Sequence, residues 1–504
     1  MSKKYRGLLL LTFISFISIG CGSNTLLGRN STMSNVASKI LNTHNETIAI
    51  YEAEDGVLLG NSRVNSDAST NKKYVSLPGE DSDGLEIVFN IEEEGFYDFE
   101  FVTRAADYKE NFVLVDDEAS ANLVTDSKEF ASTYSTRNYL TKGDHKFKIL
   151  KYWGWIDIDS VKISQSLDID DKLYEVSPKL CNPNASDNAK RLMSYLTDVY
   201  GKNILSGQYC MEGRYGKEMA IIKKITGKTP AILGLDFIEQ SPSRVEHGSK
   251  SNVVDRAKQF WEDGGIVTFC WHWNAPSKYL TGTWYSGFYQ EHTNIDLDKI
   301  MNGQDEEGYE LLCSDMDAIA KEIDKLKEAD VPILFRPLHE ASGGWFWWGD
   351  CEPESYKKLY TLMYNKFVNE YELNNLIWVW NGQNMDWYPG DEYVDIVGTD
   401  IYPGEHVYTS QIDKYFETGA APSENKVIAL TENGCIPDPN LCKRDGAMWS
   451  FFCTWNGEFI AKESKIYQYS DKYTEEDKII EFFNNDIVVN LEDLPDIKNY
   501  KIKK

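Results

Sequence analysis

The chain is short of positive charge. It carries 52 Lys and Arg against 80 Asp and Glu, a formal charge of −28 over 504 residues. That balance excludes nucleic acid as a partner, because neutralising phosphates needs a basic surface. The nine cysteines contain no C-x-x-C pair, which argues against a zinc site. No glycine-rich nucleotide loop follows any strand-like run. The leading apolar run, residues 8–19, is too short to cross a bilayer as a helix. Aromatic residues, by contrast, are plentiful. They make up 13% of the chain, with 14 Trp and 30 Tyr, and suit a protein that stacks on the flat apolar faces of sugar rings. The length predicts two or three domains.

Residues 1–21 read as a signal peptide: Lys3, Lys4 and Arg6, then the apolar run, then Gly20-Cys21. A cysteine directly after a small residue is similar to a bacterial lipoprotein cleavage site, and Cys21 would then carry the lipid. Ser18 departs from that pattern, where leucine is usual, so an ordinary secretory signal is the alternative. The expectation is an exported outer-membrane lipoprotein that meets the membrane only through its anchor and acts as a monomer. Residues 22–47 are rich in Ser, Thr and Asn and read as a tether. Export permits disulfides. Cys435 and Cys442 are near enough in sequence to pair, although sequence does not establish it. Cys270 and Cys453 lie in apolar runs and read as small buried side chains.

Residues 48–163 read as all-β. "GLEIVFNI", "GFYDFEFVTR", "NFVLVDD" and "HKFKILK" alternate or run apolar between Gly, Asp and Asn, which predicts a β-sandwich. Residues 164–177 are weakly patterned and read as a linker. From residue 178 to the end, eight apolar runs alternate with amphipathic helices. The runs are 203–208, 230–237, 265–273, 332–340, 376–381, 395–402, 427–434 and 448–455. Most are continuously apolar, as strands covered on both faces are. Their number and rhythm predict an α/β fold, a (β/α)8 TIM barrel preceded by the sandwich. A doubly wound sheet is the alternative.

In such a barrel the chemistry lies at the carboxyl ends of the strands. His272, His339-Glu340, Trp380-Asn381, Tyr402, Glu432 and Trp455 end strands three to eight. Glu340 and Glu432 would therefore face one crevice. Two carboxyl groups flanking a glycosidic bond are the machinery of glycoside hydrolysis, one protonated and the other ionised. "FRPLHEASGGWFWWG" follows Glu340 with Trp345, Trp347 and Trp348. These would wall a sugar cleft and raise the carboxyl pKa. The competing reading makes them core residues and pairs Glu340 with Arg336.

Together, "FRPLHEASGGWFWWG" and "IALTENG" resemble glycoside hydrolase family 26 over residues 178–465, supported by "NILSGQY", "FCWHWNAP", "VGTDIYP" and "FFCTWN". The resemblance implies a retaining (β/α)8 endo-hydrolase, most often an endo-β-1,4-mannanase acting on β-mannan-type polysaccharide. Glu340 would be the acid/base and Glu432 the nucleophile. His339 would orient its catalytic neighbour, Tyr402 would sit near the nucleophile, and Trp345 and Trp455 would stack on sugar. His272 would contact sugar hydroxyls. Asp236, Trp273 and Trp284 are further cleft candidates. No cofactor is expected in catalysis. The opening "YEAEDG" and closing "WGWIDIDSVKI" of the sandwich resemble carbohydrate-binding module family 35 or its relative family 6. That resemblance implies a structural calcium held by Glu52, Glu54 and Asp159, ligands a hard cation prefers. Trp153 or Trp155 is a candidate stacking platform. Two other readings remain open: the same mechanism on mixed-linkage β-glucan or β-1,3-xylan, and a surface glycan-binding protein without catalysis.

Overall fold

The computed structural model describes residues 35–67, 72–79, 82–463 and 467–503. The signal segment and Cys21 lie outside the described residues. No helix among the described residues is long and apolar enough to cross a membrane.

The first body is an antiparallel sandwich. One sheet contains β1 (Thr47–Glu52), β3 (Arg63–Ser66), β4 (Lys73–Leu77), β6 (Gly95–Arg104), β9 (Ala131–Leu140) and β11 (Ile156–Gln165). The other contains β2 (Val57–Leu59), β5 (Gly84–Ile91), β7 (Lys109–Val115), β8 (Glu118–Thr125) and β10 (Gly143–Trp153). Alternation places one face of each strand inside. In β5, Leu85, Ile87, Phe89 and Ile91 are buried while Val88 is exposed. Between the sheets Phe147 packs against Phe89 and Phe99, with ring centroids 4.4 Å apart in both pairs.

The second body is a closed parallel barrel of β13 (Gly207–Tyr209), β14 (Ile232–Asp236), β15 (Ile266–Cys270), β16 (Ile333–Arg336), β17 (Leu376–Trp380), β18 (Ile396–Ile401), β19 (Val427–Asn433) and β20 (Phe452–Thr454). All eight runs predicted from sequence supply these strands. The first run divides at Ser206. Its leading half, β12 (Ile204–Leu205), pairs instead with β21 (Val488–Val489) outside the barrel.

Two parts of the predicted domain plan are corrected. Part of the expected 22–47 tether is a docked helix, Val36–Asn42, capped by the Asn35 side chain. Asn35 Nδ2 also donates to the carbonyls of Gly419 (2.6 Å) and Pro422 (2.7 Å). Ala37 and Ile40 are buried against the barrel. Two small apolar side chains one helical turn apart suffice to seat a short helix that composition alone reads as polar. Similarly, the expected 164–177 linker is not free. β11 runs to Gln165, Leu173 is buried in the barrel core and the Tyr174 hydroxyl donates to Gly446 O at 2.8 Å.

A polar latch joins the bodies. Asp413, on the barrel helix Ile412–Gly419, accepts from Thr136 N at 2.8 Å. Arg137 (φ 53°) lies over Phe96 and donates to Asp445 O at 3.1 Å and to Leu167 O at 2.6 Å. All eight cysteines among the described residues are thiols, Cys435 and Cys442 included.

Candidate active site

Three strands bring the central charges together. Arg336 ends β16, Asp400 lies on β18 and Glu432 on β19, all buried. Arg336 donates to Asp400 Oδ2 at 2.7 Å, to the Tyr209 hydroxyl at 3.0 Å and to Glu432 Oε1. The competing sequence reading, an Arg336–Glu340 pair, is therefore not realised: the guanidinium serves Asp400 and Glu432. Such a buried ion pair persists only where hydrogen bonds satisfy its remaining valences. Asn381, just past β17, donates to Asp400 Oδ1 at 2.6 Å, and the Thr431 hydroxyl donates to the same oxygen at 2.7 Å.

Glu340 reaches this cluster by an unusual path. Leu338 (φ 52°) and Glu340 (φ 54°) both adopt left-handed backbone, a conformation costly for residues with side chains and typical of functional sites. Bonds from Glu340 N to Asn381 O (2.7 Å) and from the Tyr356 hydroxyl to Leu338 O (3.0 Å) hold it. One carboxylate oxygen from each of Glu340, Asp400 and Glu432 lies within 4.8 Å of the other two.

The two glutamates differ in proton affinity for physical reasons. Burial, the Asp400 and Glu432 charges and a hydrogen bond with Asp400 raise the Glu340 carboxyl well above its ordinary range. Burial raises Glu432 as well. There the Arg336 guanidinium opposes the rise, as does the Tyr402 hydroxyl, which donates to Glu432 Oε2 at 2.6 Å. Both carboxyls are thus raised, Glu432 to about 7 and Glu340 well above its ordinary range, so Glu340 holds its proton more firmly than its neighbour.

The predicted neighbours fall into two groups. Trp345, Tyr402, Trp455 and His272 are each partly exposed. Trp345 Nε1 donates to Glu340 Oε2 at 2.9 Å, and the Trp455 ring lies 4.6 Å from that of Tyr209. His339 is buried, and burial, Arg336 and His272 keep its imidazole neutral. Trp347 and Trp348 are corrected: they are core residues rather than cleft walls. Each is at most 1% exposed, and their indole N–H groups donate to Trp273 O (2.7 Å) and His339 O (2.8 Å). A wide aromatic with a polar edge serves as a buried prop as readily as a platform. Trp273 is buried likewise, bonded to Asp315 at 2.8 Å. Asp236 lies under His272 at 2.6 Å, and Trp284 stacks on His247. Sequence reasoning missed Arg336 and Asp400 as members of the cluster. Both sit near barrel strand ends within runs already singled out, and a charge inside an otherwise apolar run is the signal that could have pointed to them.

In the sandwich, Trp155 is 49% exposed beside Arg63. The Trp153 side chain is outside what is described. Burial and the Asp159 and Glu54 charges raise the Glu52 carboxyl, and Glu54 Oε2 is buried without a hydrogen-bond partner. Repelling carboxylates with an unsatisfied oxygen fit a hard cation.

Comparison with known proteins agrees with this geometry. The model of glycosyl hydrolase family 26 matches residues 181–478, and that of carbohydrate binding module family 35 matches residues 49–166. A mannan endo-1,4-beta-mannosidase of Thermothelomyces thermophilus is 36% identical over 454 residues, covering 88% of this chain and 91% of that one. Mannan endo-1,4-beta-mannosidase B of a Piromyces species is 33% identical, covering 88% and 77%. The crystal structure of the Podospora anserina GH26-CBM35 β-(1,4)-mannanase superposes with a TM-score of 0.62 at 34% identity, covering 90% of this chain and all of that one. With its barrel, its strand-end carboxyls and these matches, the chain belongs to glycosyl hydrolase family 26 and carries a family 35 carbohydrate-binding module.

Proposed function

We propose that the protein is a retaining endo-β-1,4-mannanase acting on mannan, galactomannan or glucomannan. One observation carries the reading: two carboxyls with unequal proton affinities share the mouth of the barrel at the close spacing described above. Retaining glycosidases place their carboxyls about 5–5.5 Å apart, whereas inverting ones leave about 6.5–9.5 Å for a water. The named relatives support the choice of mannan.

In this mechanism Glu432 attacks the anomeric carbon while Glu340 gives its proton to the leaving oxygen. The glycosidic C–O bond breaks and a Glu432–sugar ester forms. Glu340, now ionised, removes a proton from water, which attacks the same carbon and releases Glu432. Two inversions keep the β configuration. Arg336 and Tyr402 hold the nucleophile charged and oriented, and Trp345 fixes the Glu340 carboxyl. Trp455 and Trp345 supply stacking surface, and His272 meets sugar hydroxyls. His339, neutral beside Glu340, orients it.

The sandwich would hold the enzyme on polysaccharide, with Trp155 as its exposed platform, and so raise the local substrate concentration. A calcium ion held by Glu52, Glu54 and Asp159 would brace that module. Export and lipid attachment at Cys21 would fix the protein to an outer membrane as a monomer. The test is reducing-sugar release from linear mannan, galactomannan, mixed-linkage β-glucan and xylans, with Glu432→Ala as control. Activity on mannans, absent in the control, supports the reading. Activity confined to glucan or xylan overturns the substrate. Polysaccharide binding without hydrolysis overturns the enzyme.

A further inference from the structure

Beside the paired glutamates lies a cluster of metal-ligating groups that the proposed reaction uses only for sugar contact and positioning. One ligand atom from each of Asp236, Cys270 and His272 lies within 4.8 Å of the others, and His339 faces His272 across the strands. The distances separate two kinds of contact. Asp236 Oδ2 is 2.6 Å from His272 Nδ1, a hydrogen-bond length. Asp236 Oδ1 is tied to His272 N (3.0 Å) and Ile238 N (2.9 Å). A carboxylate only accepts, so His272 Nδ1 carries a hydrogen, and the neutral ring then presents its lone pair at Nε2.

That Nε2 faces His339 Nε2 at 3.3 Å, with ring planes 80° apart. The separation is at the long limit for a hydrogen bond. It matches the bite of a tetrahedral ion, since two nitrogens each about 2.0–2.1 Å from zinc stand about 3.3–3.4 Å apart. His339 Nδ1 is buried without a partner. No protein group there dictates which nitrogen carries the hydrogen, so placing it on Nδ1 frees Nε2 for an ion. Asp236 behind His272 completes the carboxylate–histidine arrangement that orients imidazole ligands and raises their basicity.

We propose that His272 and His339 form a binding site for a borderline-soft divalent ion, Zn2+ or Cu2+, which occupies the floor of the sugar cleft and reversibly inhibits the enzyme. The two imidazole Nε2 atoms are the protein ligands, and water fills the remaining positions. Imidazole pairs favour these ions over Mg2+ or Ca2+. Binding of the ion stands apart from the proposed reaction, whereas inhibition rests on it.

The test uses the purified chain with Cu2+ and Zn2+ as probes. One equivalent of Cu2+ is expected to show hyperfine coupling to two imidazole nitrogens in its electron paramagnetic resonance spectrum, and to one in His272→Ala or His339→Ala. Zn2+ is expected to raise KM for mannan at least tenfold with kcat unchanged, and EDTA to restore it. Asp236→Asn, which keeps both imidazoles and serves if the alanine variants fail to fold, is expected to weaken Zn2+ binding in calorimetry about 10–100-fold. Two-nitrogen coupling that is absent, or unaltered in both histidine variants, overturns the site. An unchanged KM overturns the inhibition. Should the chain hydrolyse no polysaccharide, the spectra and calorimetry still decide the site.

Discussion

The sandwich and the barrel spend their buried polar groups differently. In the sandwich, the space between the sheets is filled by Phe89, Phe99, Phe101 and Phe147 with aliphatic neighbours, and Trp155, a candidate platform, is half exposed. In the barrel, the carboxyl ends of the strands bury Arg336, Asp400 and Glu432 in contact, and the backbone at Leu338 and Glu340 is forced into left-handed geometry. The first body is arranged for stability with function on its skin. The second adds a buried cluster of paired charges at its strand ends, as preorganised sites require, whereas left-handed backbone occurs in both bodies, at Asp116, Asp117 and Arg137 in the sandwich.

Several substitutions would break or sharpen that contrast. The largest effect is expected from Glu432→Ala, with kcat lowered by about 10^4-fold or more and the fold retained. Glu340→Gln should lower kcat by about 10²–10⁴-fold without lowering the melting temperature, because an amide of the same shape replaces a carboxyl that is already neutral. In the wild type, kcat/KM should be bell-shaped in pH. It falls at high pH as Glu340 loses its proton and at low pH as Glu432 gains one, and the acid limb lies above the usual carboxylate range because burial raises Glu432. Arg336→Met is expected to cost about 3–5 kcal/mol in denaturant unfolding as well as activity, since it leaves two buried carboxylates without their cation.

A matched pair of tryptophans sharpens the comparison further. Trp348→Ala should cost about 3–5 kcal/mol of barrel stability. Trp155→Ala should leave unfolding unchanged and weaken retention on mannan in affinity electrophoresis. The smallest effect concerns the latch between the bodies. Burial pushes Asp413 up to about 6, so its charge costs docking stability as pH rises from about 4 through 6. Asp413→Asn should therefore melt higher than wild type at pH 7, with the gap narrowing below pH 6 and closing near pH 4.

Both architectures were legible in the sequence, for different reasons. Period-2 alternation marked β5, and continuous apolar runs marked the eight barrel strands, because burial on one face or two leaves those patterns. Glu340, Glu432, Tyr402 and Trp345 were legible as strand-end or near-strand polar and aromatic residues that meet at the mouth. Trp347 and Trp348 were misread because composition does not say which face of a loop turns inward; their indole hydrogen bonds to Trp273 and His339 decide it. Asp400 and Arg336 were missed because a charge within an apolar run gains its meaning from a partner distant in the chain. The helix Val36–Asn42 was hidden by its polar exposed face.

The most direct test of the central claim is the anomeric configuration of the first product, followed by proton NMR during early hydrolysis of a β-1,4-manno-oligosaccharide. Retention through Glu432 predicts that the β-anomer appears first and then mutarotates. Initial release of the α-anomer would contradict the account, because Glu340 and Glu432 would then be flanking a water rather than forming an ester.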